Sequence, residues 1–344
     1  MRLSRGDLLA SDLDEILQTV DSFEKFRDSR ILILGGTGFV GTWIISAFLH
    51  ANEVFNLNLS IHVITRDLAS ARSKLLFKID DPVSLIEFNL KEPAYLLDNS
   101  FDFYIHAATP SLVATGSAEE DSVSSASFGG SNLISENIFK FRNSPSVLHT
   151  SSGAVYGRQE FAEKLKLESP AKPSSALAIE YAKAKVSTEE ILNDLQANSG
   201  ARVTNPRLFA FAGPRIELNE HFAIGNFLRD GLSGNKILIN GSPETIRSYL
   251  YPTDLTAWLI LLIANPSSEN LNIGSEKSYS MLQLANLVSS LTSNKGFQLL
   301  NPDSEASIYV PSTLNTREML KVKESVSLEN GLERWIKWLE LTKK

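Results

Sequence analysis

No cysteine occurs among the 344 residues. That absence excludes disulfide staples, thiolate metal sites and cysteine nucleophiles, and it fits a reducing cytoplasm. Histidine is scarce. His50, His62, His106, His149 and His221 are scattered, with no close spacing that reads as a metal site. No apolar run is long enough to span a bilayer. Met1–Arg30 is polar with a helical apolar stripe, unlike a secretory signal. Charge of one sign is also lacking in bulk: 33 Lys and Arg against 40 Asp and Glu give −7. Such a chain has no global pull toward nucleic acid or anionic membrane. Internal repeats, low-complexity tracts and charged tails are missing too.

What is present is a globular composition, 43% hydrophobic and 21% charged, long enough for one large domain or two smaller ones. Leu13, Ile16, Leu17, Val20 and Phe23 share one helical face, with Ser11 or Asp12 expected as N-cap. This reads as an amphipathic helix packed on the main body; a partner-binding helix is the alternative. From Arg30, strand-like runs at Ile31–Leu34, Ile61–Thr65, Leu85–Phe88, Phe103–His106, Val147–Thr150 and Val203–Phe209 alternate with helical patterns. The helical patterns are Thr42–Leu49, Gly130–Phe141 and Tyr181–Leu195. Continuous apolar strands alternating with helices predict a buried parallel sheet wrapped by helices. After Gly213-Pro214 the pattern becomes mixed. Helices are expected at Ala223–Leu232, Asp254–Ala264, Met281–Leu291 and Leu328–Leu341, and a short strand at Lys236–Asn240. Trp335 and Trp338 are expected to pack inward.

The run Ile31-Leu32-Ile33-Leu34 leads into Gly35-Gly36-Thr37-Gly38-Phe39-Val40-Gly41 and then a helix. One glycine permits a tight turn, another lets backbone N–H groups approach a pyrophosphate, and the last permits close helix–strand packing. Strand before and helix after are the context that makes this a dinucleotide loop. The second strand ends in Arg66 followed by Asp67. Arg66 leans toward the 2′-phosphate of NADP; with Arg66 merely solvated, Asp67 would serve the ribose of NAD.

Ser151-Ser152-Gly153-Ala154-Val155-Tyr156-Gly157 follows another buried strand, placing hydroxyls where open α/β sheets bind ligands. Tyr181 and Lys185 lie four apart on one helical face. An ammonium beside a phenol is expected to lower the phenol's pKa, and such a Tyr can exchange a proton with an alcohol or carbonyl.

These residues resemble the extended short-chain dehydrogenase/reductase family, in its nucleotide-sugar epimerase/dehydratase branch. His106-Ala107-Ala108, Arg207-Leu208-Phe209, Gly213-Pro214, Arg247-Ser248-Tyr249 with Asp254, and Asn272-Ile273-Gly274 add to the likeness. The resemblance implies a Rossmann-type doubly wound parallel sheet with a smaller mixed C-terminal substrate domain. The expected boundaries are 1–29 for a helical extension, 30–207 for the dinucleotide-binding part (with a contribution around 247–275) and 208–344 for mainly substrate binding. It implies Ser152 as the catalytic hydroxyl, Tyr181 as acid/base and Lys185 as the residue that orients the ribose and tunes Tyr181. Asn89 and Leu90 would stand beside the adenine, and Ala107 and Ala108 would let the nicotinamide half pack closely. Gly35, Thr37, Gly38, Phe39, Val40, Gly41 and Arg66 complete the cofactor set. Asn226, Phe227 and Arg247 resemble positions that hold a sugar nucleotide; a helix cap, a core aromatic and a surface ion pair are the alternatives. The family also implies a homodimer through the helices bearing Tyr181 and following Gly130.

Four positions depart from the family pattern. Gly153-Ala154 replaces the acidic pair of the sugar dehydratases, and Ala154 also replaces the usual Glu of the decarboxylases. Ala210 and Ser127 each replace an Asn, and Arg66 replaces an acid. A cytoplasmic 4-epimerase acting on a nucleotide sugar is therefore expected. An NADPH-dependent 4-ketoreductase is the alternative, and a non-catalytic dinucleotide-binding scaffold comes third.

Overall fold

A computed structural model of the chain describes residues 8–75, 81–92, 97–108, 120–157, 176–218, 222–269, 271–292, 294 and 296–342. The chain opens with α1 (Ala10–Thr19), then alternates β1 (Arg30–Leu34), α2 (Phe39–Phe55), β2 (Ser60–Thr65), α3 (Leu68–Leu75), β3 (Val83–Glu87) and β4 (Phe103–His106). The segments α4 (Glu120–Phe141), β5 (Ser146–His149), β6 (Ser151–Ser152), α5 (Ala176–Ser199), β7 (Arg202–Thr204) and β8 (Arg207–Leu208) follow. Among the described residues the main sheet has the order β3-β2-β1-β4-β5-β7, and every neighbouring pair in it is parallel. The order reverses beside β1, the switch point at which such sheets bind ligands beyond their carboxyl ends.

The reason for the apolar run in β1 is visible in its two faces. Ile31 and Ile33 join one core with α1 and α2, whereas Leu32 and Leu34 join the core on the other face with α4 and α5. All four are fully buried. Each contributes roughly 1.5–3 kcal/mol by leaving water, so a polar residue at any of them has no solvated face to occupy.

The N-terminal stripe packs as expected: Leu13, Ile16, Val20 and Phe23 are buried in the first core. The expected cap is wrong. Leu9 holds the N-cap position without a side-chain bond, and Asp12 lies inside the helix. Asp12 is fully buried and accepts hydrogen bonds from Tyr251 (2.7 Å) and Arg334 (2.8 Å). A buried carboxylate needs such partners more than a helix end needs a cap.

Val203–Phe209 is not one strand. Asn205-Pro206 separates β7 from β8, because proline cannot donate to a central ladder. Similarly, the run Val147–Thr150 breaks after His149, and β6 turns into a separate three-stranded sheet of order β11-β8-β6.

The rest of the chain supplies α6 (Ala223–Leu232), β9 (Ile237–Ile239), β10 (Ile246–Ser248), α7 (Pro252–Ala264), β11 (Asn272–Ile273), β12 (Ser278–Ser280) and α8 (Met281–Thr292). It ends with β13 (Phe297–Leu299), β14 (Ile308–Tyr309), α9 (Leu314–Leu320) and α10 (Leu328–Thr342). The short strand is thus Ile237–Ile239, inside the expected Lys236–Asn240. Buried α7 returns to the main sheet's first core. By contrast, α6, α8 and α10 build a third core around Leu228, Leu284, Leu332 and Trp335, with Trp338 packed at its edge.

Candidate active site

The glycine loop is built from backbone proximity. Gly35 takes φ +84°, and a Cβ there would lie 2.5 Å from the Ala107 carbonyl carbon. That approach follows from register, because β1 pairs β4 with Leu34 opposite His106. A Cβ on Gly41 would lie 2.3 Å from the Gly35 carbonyl oxygen. Helix α2 starts at Phe39, so Phe39, Val40 and Gly41 form its first turn. No side chain caps that helix at Gly38. Its first N–H groups and its dipole therefore fit a phosphate.

Arg66 is exposed just beyond β2. Asp67 is occupied otherwise: its carboxylate accepts from the Ser70 N–H at 3.0 Å at the start of α3. Asn89 accepts from the Lys91 N–H at 3.2 Å, and Leu90 is buried in the second core, where a Cβ on Gly129 would overlap its carbonyl. Thr37, Ala107 and Ala108 are only partly buried, leaving a backbone shelf at the mouth of the loop.

Ser152, Tyr181 and Lys185 come together at the carboxyl end of β5. The Ser152 hydroxyl is near enough to Tyr181 to favour its phenolate. The Lys185 ammonium sits 5.7 Å from the centre of the Tyr181 ring and donates to the Thr150 carbonyl at 2.6 Å. One expectation is overturned. Burial pushes the Tyr181 phenol up, and the Ser152 bond pulls it back only in part. Burial also pushes Lys185 down to about 7, against the pull of Glu189. In this dry site desolvation outweighs the ammonium, which is directed at a carbonyl rather than at the phenol oxygen.

A polar spine lies behind the cluster. Ser151 donates to Glu189, whose carboxylate is forked by Arg207 at 3.1 and 2.8 Å. Arg207 also donates to the Tyr156 oxygen (3.2 Å), and Tyr156 donates to Asn272 (2.8 Å). Glu189 follows Lys185 by one helical turn, a spacing that could have disclosed it in the sequence. Tyr309 belongs to the site as well: its hydroxyl lies 2.6 Å from where a Cβ on Gly153 would stand, and its ring centre is 4.7 Å from that of Phe209. No local pattern announces it.

Further from the cluster, Arg247 turns back to donate to the Ser307 carbonyl (3.0 Å) and hydroxyl (2.9 Å). Asn226 accepts from Arg229 at 3.1 Å within α6. The Phe227 ring is buried in the third core. Asp254 accepts from the backbone of Ser325 and Val326, tying α7 to the start of α10. Among the described residues no acidic and histidine cluster suits a metal, and no helix is long and apolar enough to cross a membrane.

His106 and His149 are buried beneath Lys185, with ring centres 5.4 Å apart. Burial pushes His106 down to about 4 and His149 well below its ordinary value. The unfolded chain, near 6.5, takes these protons first as pH falls. Their stabilising contribution is therefore whole above pH 6.5 and is lost as pH falls toward 4. For His106 alone the loss between pH 7.5 and 5 is about 2 kcal/mol. Urea denaturation at both values should show His106→Asn losing less than the parent by about that amount. Equal losses would contradict this account. Asp12 and Asp254, pushed up by burial, act oppositely in both proteins and cancel in the comparison.

Comparison with known proteins bears on the family and the fold. The chain is 24% identical over 312 residues to UDP-glucuronic acid decarboxylase 1 of Arabidopsis thaliana, covering 89% of this chain and 69% of that protein. It is 26% identical over 323 residues to UDP-N-acetyl-alpha-D-glucosaminuronate decarboxylase of Bacillus cytotoxicus, covering 90% and 97%. Among solved structures, UDP-glucose 4-epimerase of Thermotoga maritima superposes with TM-score 0.75 at 20% identity, covering 92% of this chain and all of that one. UDP-N-acetylglucosamine 4-epimerase of Methanobrevibacter ruminantium gives 0.78 at 20% identity, covering 92% and 99%. These structures share the fold. The pattern of the NAD dependent epimerase/dehydratase family matches residues 31–274, so the chain belongs to that family of extended short-chain dehydrogenase/reductase enzymes.

Proposed function

We propose that the chain is a nucleotide-sugar 4-epimerase. One observation carries this reading: among the described residues the reacting face offers hydroxyls and a lysine, and the two positions that follow Ser152 are Gly153 and Ala154. Gly153 and Ala154 have no acid to give, and Gly153 has no room for one. A Cβ there would lie 2.6 Å from the Tyr309 oxygen and 2.7 Å from the Phe209 ring. Eliminating water from a sugar needs an acid and a base beside the leaving group. The nearby Glu189 is held by Ser151 and Arg207.

In this reading Gly35, Thr37, Gly38, Phe39, Val40 and Gly41 hold the pyrophosphate, Asn89 and Leu90 flank the adenine, and Ala107 and Ala108 make room for the nicotinamide. The cofactor, when bound, supplies hydride acceptance and return. Tyr181 takes the proton of the sugar's C4 hydroxyl and gives it back after the ketone has turned over. Ser152 holds the same oxygen, and Lys185 orients the ribose. Asn226, the segment around Phe227, and Arg247 hold the nucleotide diphosphate. The described parts of α4 and α5 would pair two copies into a dimer.

The test is to incubate the purified protein with UDP-glucose, UDP-N-acetylglucosamine and UDP-glucuronic acid and to separate the products. A C4 epimer without net cofactor consumption is expected. The relatives named above make decarboxylation the second reading, and carbon dioxide with a pentose product would establish it instead. Steady NADPH consumption with a 4-keto sugar would make the protein a ketoreductase.

Arg66 sets the cofactor phosphate. Being exposed beyond β2, it would pair with the 2′-phosphate of NADP. Arg66→Ala is expected to weaken NADPH binding by about tenfold, or 1.4 kcal/mol, and to leave NADH binding unchanged. Titration of cofactor fluorescence decides it. No change for either cofactor would return Arg66 to the solvated surface.

A further inference from the structure

The residues before β1 take no part in the chemistry described above, yet the fold uses them closely. Helix α7 is buried along its whole length, Pro252–Ala264. A helix that is apolar all round must be covered on every side. Part of that cover is α1 and the turn after it, where Leu13, Ile16, Val20 and Phe23 share the first core with α2 and α7. The same segment holds both ends of α7. At the N-cap, the Tyr251 hydroxyl donates to Asp12 at 2.7 Å. At the C-terminus, the Lys25 ammonium donates to the Ala264 carbonyl at 3.3 Å. Asp14 pairs with His50 of α2 at 2.7 Å. These contacts make α1 part of the dinucleotide-binding body.

Two other carboxylates of the segment reach the opposite end of the chain. Arg334 of α10 donates to Asp12 at 2.8 Å and to Glu15 at 2.8 and 2.9 Å. Asp12 is fully buried and the Arg334 side chain is 15% exposed. Forked, charge-assisted bonds of this kind are strong and directional. The guanidinium carbon also lies 5.7 Å from the centre of the Tyr251 ring. A Cβ on Gly331 would lie 2.7 Å from that ring, so α10 packs directly on the junction. The apolar face of α10 belongs elsewhere: Leu328, Leu332 and Trp335 join the third core with Ile224, Phe227 and Leu228 of α6. Both α1 and α10 lie outside the residues that the family pattern matches.

We infer that α1 is a brace that fixes the third core against the dinucleotide-binding body, with Asp12, Glu15 and Arg334 as positioning residues for the nucleotide end of the substrate. This rests on the reading of α6 and Arg247 as the elements that hold a nucleotide diphosphate. Tyr181 stands on α5 and Asn226 on α6, which belong to different cores. A substrate that touches both must span the two bodies, so their relative position enters its binding. Helix α10 cannot tilt away from α1 without stranding a buried carboxylate, which costs far more than losing a surface pair. The glycine loop lies wholly within the first body. Loosening the brace therefore weakens the substrate and spares the cofactor.

The experiment uses the full chain, with NAD and UDP as separate probes titrated by calorimetry. Arg334→Met removes the fork and keeps an extended side chain. Its Kd for UDP is expected to rise about tenfold, within the range of substitutions that act through a network, while Kd for NAD stays within about twofold. Arg334→Lys keeps the charge and should recover part of the loss. Should Arg334→Met fail to fold, Glu15→Gln replaces it, because that side chain is 33% exposed. A rise of about threefold for UDP alone is then expected. Equal weakening of both ligands, or of neither, overturns the brace. Backbone hydrogen exchange needs no ligand. In the variant, α6 and α10 should exchange faster while β1 and β4 match the parent; a uniform rise means general destabilisation and also overturns the brace. A parent chain that binds NAD but not UDP overturns the nucleotide-sugar reading itself, and this inference with it.

Discussion

Replacing Tyr181 by Phe should lower turnover by roughly 100- to 10,000-fold, the range associated with a positioned general acid or base. The change removes one oxygen and no packing. Tyr181 sits on the Ser152 side of α5 with the Lys185 ammonium 5.7 Å from its ring centre. The phenol is the group there whose proton can leave toward a bound alcohol. The ring, the helix and the glycine loop are untouched, so cofactor binding and thermal melting should remain those of the parent. KM should change little, because an interaction made in the transition state appears in kcat. Turnover within about twofold of the parent would remove Tyr181 from the chemistry.

The second large effect is on stability. Arg207→Met should cost about 3–5 kcal/mol in urea denaturation, the usual consequence of stranding one partner of a buried ion pair. The Glu189 and Arg207 side chains are 6% and 14% exposed, and Arg207 forks the carboxylate from β8. Without it, Glu189 loses both guanidinium bonds, and the Tyr156 oxygen loses the one from Arg207. The Glu189→Leu/Arg207→Met double variant should recover part of the loss, since an apolar pair leaves no stranded charge. A single-variant cost below about 1 kcal/mol would mean that water reaches Glu189 and screens it. Activity should fall as well, because the spine fixes β6, which carries Ser152.

The features that were legible in the sequence are those that short stretches of chain determine. The two-faced burial of Ile31–Leu34 requires a continuous apolar run, and the run is there. The turn at Gly35 and the approach at Gly41 exclude a Cβ, and glycines stand at both. Tyr181 and Lys185 share a helix face because they are four apart. Errors arose where a neighbour distant in sequence outweighed a local preference. Asp12 is a fair helix cap by type, yet Tyr251 and Arg334 draw it into the interior. Val203–Phe209 is apolar enough for one strand, yet Pro206 lets its two halves join different sheets. Lys185 beside Tyr181 suggests an acidified phenol, yet burial acts on both groups and the Thr150 carbonyl takes the ammonium.

By itself the sequence determined the parallel α/β fold, the glycine turn that closes β1 and the placing of Tyr181 and Lys185 on one helix face. Each follows from backbone sterics or periodicity within a few consecutive residues. Only the tertiary structure decided that Tyr309 and Phe209 close the space over Gly153, and that Arg207 neutralises Glu189. Those pairings depend on sheet register and on strands brought together from remote parts of the chain, and no local spacing encodes them.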